Sequence, residues 1–130
     1  MSTDDKLYTP GDWFENARRD LQRVDERLEE NECADAAFLL QQSLEKYLKG
    51  YLVSKGWELK RTHDVGDLLD EVTNHNSEYA PYKDLCRVIS DYYFFEWSPS
   101  PDKVPPKDNI ERVKLQAQEL ISKITGEVQA

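Results

Sequence analysis

The apolar residues of this chain recur mostly every three or four positions, which is the spacing of an α-helix with one buried face. The first such segment opens at Thr9, a residue suited to the N-cap, with Pro10 at the first helical position. Its apolar stripe consists of Trp13, Ala17, Leu21, Val24 and Leu28. The pattern predicts an amphipathic helix that buries this stripe.

A broader stripe predicts a central helix over about residues 32–55. It contains Cys33, Ala36, Ala37, Leu40, Leu44, Tyr47, Leu48, Tyr51 and Leu52. Gln41 falls inside this stripe and Glu45 on its border, whereas Lys46 and Lys49 are expected to point away. An unpaired buried polar group costs about 1–3 kcal/mol, so Gln41 and Glu45 need hydrogen-bond partners.

Three further helices are predicted in the second half of the chain. The third follows Thr62-His63-Asp64 and carries Val65, Leu68, Leu69 and Val72. The fourth begins near Pro81 and carries Leu85, Val88, Ile89, Tyr92 and Tyr93. The last covers about residues 108–126, with Ile110, Val113, Ala117, Leu120, Ile121 and Ile124 on one face.

The remaining segments are predicted to lack regular structure. Residues 97–107 contain four of the six prolines and are expected to form a loop. Residues 1–8 are expected to be flexible, and the polar run Thr73–Ser77, which contains His75, to be a solvated loop. No segment alternates as a strand. The fold class is therefore all-α: one domain over residues 1–130, an antiparallel bundle of about five helices with a four-helix up-down core plus a short helix.

Charge and cysteine content narrow the functional classes. The chain has 130 residues, 17 of them basic and 26 acidic, which leaves a formal net charge of −9 and argues against a broad nucleic-acid surface. A locally basic window lies between residues 46 and 63, and it is either a solvated face or a phosphate site. Two distant cysteines, Cys33 and Cys86, indicate reduced thiols in a cytoplasmic protein. Neither a membrane span, a metal site nor a cofactor is predicted.

The order and spacing of three motifs resemble the HEPN family, over most of the chain from Trp13 to about Tyr93. The first helix carries Trp13, Ala17, Asp20 and Leu21. The central helix carries Gln41 or Gln42, then Glu45, Lys46 and Lys49. The third motif is Thr62, His63 and Asp64 with the leucine pair Leu68 and Leu69. The resemblance implies a small all-helical domain connected with nucleotide or RNA chemistry.

Ribonucleases of that family carry an arginine followed four to six residues later by a histidine. This chain offers Arg87, but Asp91, Tyr92, Tyr93 and Phe94 follow it, and no histidine occurs after position 75. Many relatives also end this helix with Tyr and then Arg-Tyr-Pro, where Glu96-Trp97-Ser98-Pro99 stands here. RNA cleavage by the usual pair is therefore not expected.

The resemblance implies a dimeric, non-catalytic interaction or nucleotide-associated module, partner of a minimal nucleotidyltransferase in a toxin–antitoxin-like pair. Two alternatives stay open: a metal-independent endoribonuclease with a degenerate site around Arg87, Asp91 and Tyr92, and direct mononucleotide binding through Lys46, Lys60, Arg61 and His63. The residues expected at an interface are Tyr93, Phe94, Phe95 and Trp97. A polar framework is expected from Gln41, Glu45, Thr62 and Asp64.

Overall fold

Five α-helices make up most of the part of the chain that the structure describes. The computed structural model describes residues 8–58, 61–97 and 103–129, with only the backbone described at residues 96 and 97. The helices are α1 (Pro10–Glu29), α2 (Cys33–Ser54), α3 (Val65–His75), α4 (Lys83–Asp91) and α5 (Lys107–Gln129). Two 3-10 helices, Ser77–Tyr82 and Tyr92–Trp97, flank α4. These ranges contain no strand, which confirms the predicted all-α class.

Contacts at the helix ends define an up-down arrangement. Arg27, near the end of α1, donates to Asp35 near the start of α2, so these helices are antiparallel. The ring of Tyr93, just after α4, packs on Phe38 in the first half of α2. Near the last turns of α2 and α5, the Tyr51 hydroxyl donates to Glu127. Helices α1, α2, α4 and α5 thus alternate in direction, and α3 is the short additional helix.

Helix α1 begins at the predicted residue but is rotated relative to its predicted face. The Thr9 hydroxyl accepts a hydrogen bond from the Asp12 amide, and the Asp12 carboxylate accepts one from the Thr9 amide, forming a capping box. Phe14 is buried, whereas Trp13 is only half-buried. The reason is close approach to α2: a Cβ added at Gly50 would lie 2.6 Å from the Phe14 ring. The missing side chain at Gly50 makes room for Phe14.

The segment around α4 departs most from the predicted pattern. Pro81 lies within the 3-10 helix Ser77–Tyr82, and α4 starts only at Lys83. Val88 was predicted to be in the core but is 47% exposed, because α4 lies at the margin of the bundle and buries only Cys86 and Ile89.

The ends of the predicted loops also differ. Helix α5 begins at Lys107 and continues to Gln129, three residues beyond the predicted end. Within the predicted loop 97–107, residue 97 still belongs to a 3-10 helix, and residues 98–102 lie outside the described ranges. Of the predicted flexible segment 1–8, only Tyr8 is described, and its exposed ring packs edge-on against Trp13.

Across the described ranges, none of the helices combines the length and apolarity needed to cross a lipid bilayer.

Candidate functional site

A buried carboxylate on α2 is the centre of a polar cluster. Glu45 is 5% exposed. Its Oε1 accepts a hydrogen bond from Gln41 Nε2 at 3.0 Å and lies 2.9 Å from His63 Nδ1. Its Oε2 accepts from Lys49 Nζ at 2.9 Å. Gln42 Nε2 donates to the Gln41 amide oxygen at 2.7 Å and so completes the cluster. Gln41, His63 and Lys49 satisfy a carboxylate that burial would otherwise destabilise.

Lys49 corrects the sequence-based placement of the lysines. It was expected to point away from the core, but it is only 7% exposed and pairs with Glu45 one helical turn earlier. Lys46 is also less free than expected, since its ammonium donates to Asn16 and to the buried Asp20 on α1. Both lysines are therefore engaged by protein acceptors, which leaves them poorly placed to hold a phosphate.

His63 is the solvent-exposed end of the cluster. Its side chain is 55% exposed, yet three contacts hold it. Glu45 binds Nδ1, Gln41 Nε2 donates to the His63 backbone carbonyl at 2.8 Å, and the imidazole stacks on Tyr93 with centroids 4.5 Å apart and planes 17° from parallel. The cluster thus joins α2, the turn before α3 and the segment after α4.

Thr62 and Asp64, the other two residues of this turn, accept hydrogen bonds from backbone amides at the start of α3. The Thr62 hydroxyl accepts from the Asp64 amide at 3.1 Å, and Asp64 Oδ1 accepts from the Asp67 amide at 3.0 Å. Asp64 is therefore the N-cap of α3. Arg61 is exposed beside this turn, and Lys60 lies outside the described residues.

The aromatic residues after α4 face different environments. Tyr92 is 3% exposed and Phe95 packs on it with ring centroids 5.6 Å apart. Tyr93 is half-buried between His63 and Phe38. Phe94 meets Tyr93 edge-on and is 63% exposed. The side chain of Trp97 is not among those that the structure describes.

The catalytic candidates are not brought together. Arg87 is largely exposed, with Asp84 as its ion-pair partner at 3.9 Å, and Asp91 is exposed as well. Tyr92 points inward, its hydroxyl 3.5 Å from Asn109 Oδ1, and burial raises its pKa. A higher pKa leaves even less of the tyrosine at neutral pH as phenolate, the form that could accept a proton. Among the described residues, no group of three potential ligands forms a metal site.

A second carboxylate cluster has no counterpart in the sequence-based predictions. Glu127 on α5 accepts hydrogen bonds from four side chains, which are Tyr51, Tyr79, Asn76 and Lys55. Burial opposes the charge on Glu127, but these bonds outweigh it and lower its pKa from 4.5 to about 2. Thr73–Ser77 was predicted to be a solvated loop, but residues 73–75, including His75, complete α3, and Asn76 is half-buried as its C-cap. No local pattern reveals this cluster, since its members come from distant parts of the chain.

Comparison with known proteins decides the family. The HEPN domain profile matches residues 11–127, nearly the whole chain. This protein belongs to the HEPN family. The crystal structure of ST0689, an archaeal HEPN homologue, superposes with a TM-score of 0.74 at 24% sequence identity, over 93% of this chain and 98% of that one. At this identity the similarity concerns the fold. No match was found among curated proteins.

The HEPN motifs have identifiable structural roles in this protein. Asp20 of the first motif binds Lys46 of the second, which ties α1 to α2. Gln41 and Glu45 of the second motif contact His63 of the third, which ties α2 to the turn before α3. Residues far apart in the sequence therefore meet in two partly buried polar contacts, one between α1 and α2 and one between α2 and the turn before α3.

Proposed function

We propose that this HEPN protein is a non-catalytic interaction module that acts as a homodimer and docks onto a minimal nucleotidyltransferase in a toxin–antitoxin-like pair. The cytoplasmic location inferred from the two free thiols belongs to the same proposal. The observation that carries it is the exposure of apolar side chains after Arg87. Phe94 is 63% exposed and Val88 is 47% exposed, although apolar groups of this size are usually buried.

The same segment argues against the cleavage chemistry of HEPN ribonucleases. Where those enzymes carry a histidine, this chain has the buried Tyr92, the stacked Tyr93 and the exposed Phe94. An exposed phenylalanine and an exposed arginine in one stretch of chain match the composition of protein interfaces, in which aromatic residues and arginine are enriched. The contacts thus favour docking over catalysis at this segment.

Light scattering coupled to size-exclusion chromatography tests the docking face. Wild-type protein is expected to elute as a dimer, and Phe94→Ser to shift it towards monomer. Leu115→Ser is the matched control, because Leu115 on α5 is equally exposed at 69% and lies outside this segment. A monomeric wild type, or a Phe94→Ser protein as dimeric as the control, would remove the proposed interface.

Binding to a minimal nucleotidyltransferase requires its own measurement. Co-expression of this chain with such an enzyme is expected to yield a stable complex that Phe94→Ser weakens and Leu115→Ser does not. RNA incubated with the protein in the absence of metal is expected to stay intact. RNA cleavage that disappears in Arg87→Ala would replace the docking proposal with the endoribonuclease alternative.

A further inference from the structure

Glu127, in the last turn of α5, places its carboxylate among four side chains that come from other segments. The Tyr51 hydroxyl donates to Oε2 at 2.6 Å, and Lys55 Nζ lies 3.2 Å from the same oxygen. Asn76 Nδ2 donates to Oε1 at 2.8 Å, and the Tyr79 hydroxyl lies 3.1 Å from that oxygen. These four residues form a four-donor site, in which each oxygen of a planar carboxylate faces two donors.

Contacts outside α5 also orient these donors. The Tyr51 and Tyr79 rings are fully buried and meet edge-on with centroids 5.4 Å apart. Asn76 Oδ1 accepts from the Glu78 amide at 3.0 Å, which holds the side-chain amide in place. The Lys55 ammonium lies over the Tyr51 ring, 5.3 Å from its centroid. Much of the geometry of the four-donor site is therefore independent of α5, and such preorganisation lowers the ordering cost of binding.

The helical backbone that carries Glu127 is weak on its own. Gly126 precedes Glu127, and a Cβ added there would meet no described atom within 4 Å, so packing does not require a glycine. A glycine within a helix is roughly two- to fivefold less favourable to the helical state than an alanine. The Thr125 hydroxyl also bonds the Ile121 carbonyl at 3.1 Å, a contact that slightly destabilises helices. Glu127 and the packing of Val128 on the core are thus the anchors of this turn.

We propose that the four-donor site is a binding site for a carboxylate, which Glu127 occupies in the closed protein and which an external carboxylate occupies when residues 126–129 of α5 open. Opening leaves the Lys55 charge and three neutral donors without their acceptor. The Tyr51 and Tyr79 hydroxyls stay protonated at neutral pH, because their ordinary pKa is about 10 and burial raises it further.

The charges around the site favour a single carboxylate over a phosphate. Lys123 lies over the Tyr79 ring, 5.5 Å from its centroid, but its ammonium is also 3.7 Å from the Glu78 carboxylate. These two charges offset each other, so Lys55 is the cation that faces the ligand. One positive charge and four donors in two pairs match a singly charged, two-oxygen group.

Rescue of the vacated site by added carboxylate tests the binding. Glu127→Ala removes the resident carboxylate and keeps all four donors. Sodium acetate at neutral pH and about five times its Kd is expected to raise the Tm of Glu127→Ala by about 4 °C relative to sodium chloride of equal ionic strength. Wild-type protein, whose site is filled, is expected to show no such rise. Sodium phosphate is expected to raise the Tm of the variant less than acetate does.

Two variants and a peptide define what is bound. Tyr79→Phe in the Glu127→Ala background removes one donor and is expected to weaken acetate binding about fivefold, as for loss of one hydrogen bond. Glu119→Ala, an exposed position on the same helix, is the matched control and is expected to respond as wild type. Acetyl-Gly-Glu-Val-amide repeats residues 126–128. Binding tighter than that of acetate assigns the ligand to a protein side chain, and equal binding assigns it to a small organic acid.

Hydrogen exchange of the wild-type protein tests the opening. The backbone amides of residues 126–129 are expected to exchange faster than those of residues 120–124. Acetate at about five times its Kd is expected to speed their exchange about sixfold, because it binds only the open form. Gly126→Ala is expected to slow the same amides roughly two- to fivefold, since alanine stabilises the closed turn.

Three results would overturn the site. They are a Tm rise of Glu127→Ala in acetate no larger than that of wild type, a rise that Tyr79→Phe leaves unchanged, and exchange of residues 126–129 that acetate does not affect. Should Glu127→Ala fail to fold, the exchange of the wild-type protein in acetate still decides the question.

Discussion

Two glutamates, Glu45 and Glu127, each bind side chains from several segments of this HEPN protein. The two clusters differ in which side chains bind the carboxylate. Glu45 is bound by two buried side chains, Gln41 and Lys49, and by a half-exposed imidazole. Glu127 is bound by two buried phenols, an asparagine and a lysine, which join α2, α3 and α5. Phenols that donate to a carboxylate have no further donor to offer, whereas a histidine has a second nitrogen. Both clusters join helices, but the most exposed partner is a lysine in the Glu127 cluster and a histidine in the Glu45 cluster.

The largest expected effect comes from removing the carboxylate of the Glu45 cluster. Glu45→Ala leaves the Lys49 ammonium buried without its partner, and we expect a loss of about 3–5 kcal/mol in the free energy of unfolding. Urea denaturation followed by circular dichroism measures it. The double variant Glu45→Met with Lys49→Met removes both charges and is expected to recover most of the loss. A double variant as unstable as Glu45→Ala would show that the unpaired lysine is not the cause.

A smaller effect is expected at Glu127, with a clear pH dependence. The pKa of Glu127 is about 2 in the folded protein against an ordinary value of 4.5, so its contribution is complete above pH 4.5 and is lost as the pH falls towards 2. Glu127→Gln is expected to lose on the order of 1–3 kcal/mol at neutral pH and to flatten the acid limb of the stability curve. Glu119→Gln, an exposed position on the same helix, is the control and should leave that limb unchanged.

Removing a single tyrosine hydroxyl from the Glu127 cluster should lower the free energy of unfolding by less than Glu127→Gln does. The Tyr79 hydroxyl lies 3.1 Å from Glu127 Oε1 and 3.2 Å from the Lys123 carbonyl, and the side chain is fully buried. Tyr79→Phe is expected to lose about 0.5–1.5 kcal/mol in urea denaturation. Tyr92→Phe is a matched comparison with only a 3.5 Å contact to Asn109, so its loss should be smaller. Equal losses in Tyr79→Phe and Tyr92→Phe would mean that the Tyr79 hydroxyl stabilises the protein no more than a buried hydroxyl outside the Glu127 cluster does.

The smallest stability effect is expected at His63. Its side chain is half-exposed and a glutamine keeps an N–H donor for Glu45, so His63→Gln should lower the free energy of unfolding by no more than about 0.5 kcal/mol, the lower limit for one hydrogen bond. Thermal unfolding of His63→Gln beside His75→Gln measures it. A loss of several kcal/mol would show that His63 is needed for stability, as the partners of Glu127 are. The two clusters would then not differ in this respect.

The helices themselves could be predicted because their signals are local. A capping residue followed by proline marks the start of α1, and the three-to-four residue spacing of apolar positions marks each helix. The predicted burial of side chains was wrong where it depended on how one helix packs against another. Gly50 admits Phe14 to the core, and the marginal position of α4 leaves Val88 exposed. Neither effect is visible within the helix concerned.

The candidate site could be predicted only in part. The chain itself required partners for Gln41 and Glu45, because polar groups in an apolar stripe cannot stay unpaired. It could not show that those partners are Lys49 and His63, nor that Tyr93 stacks on the imidazole. From the sequence alone, Lys49 near the edge of the stripe could either face solvent or pair with a buried carboxylate. The position of the Thr62–Asp64 turn against α2 decides between the two.

The sequence by itself determined the helical class, the family and the need of Gln41 and Glu45 for partners, because periodicity and motif order are properties of the chain alone. Only the tertiary structure decided which groups bind each carboxylate, and it left the Glu127 side chain 26% exposed and that of Glu45 only 6%. The difference arises from the groups that distant segments bring to each carboxylate: buried phenols to Glu127, and a half-exposed imidazole to Glu45.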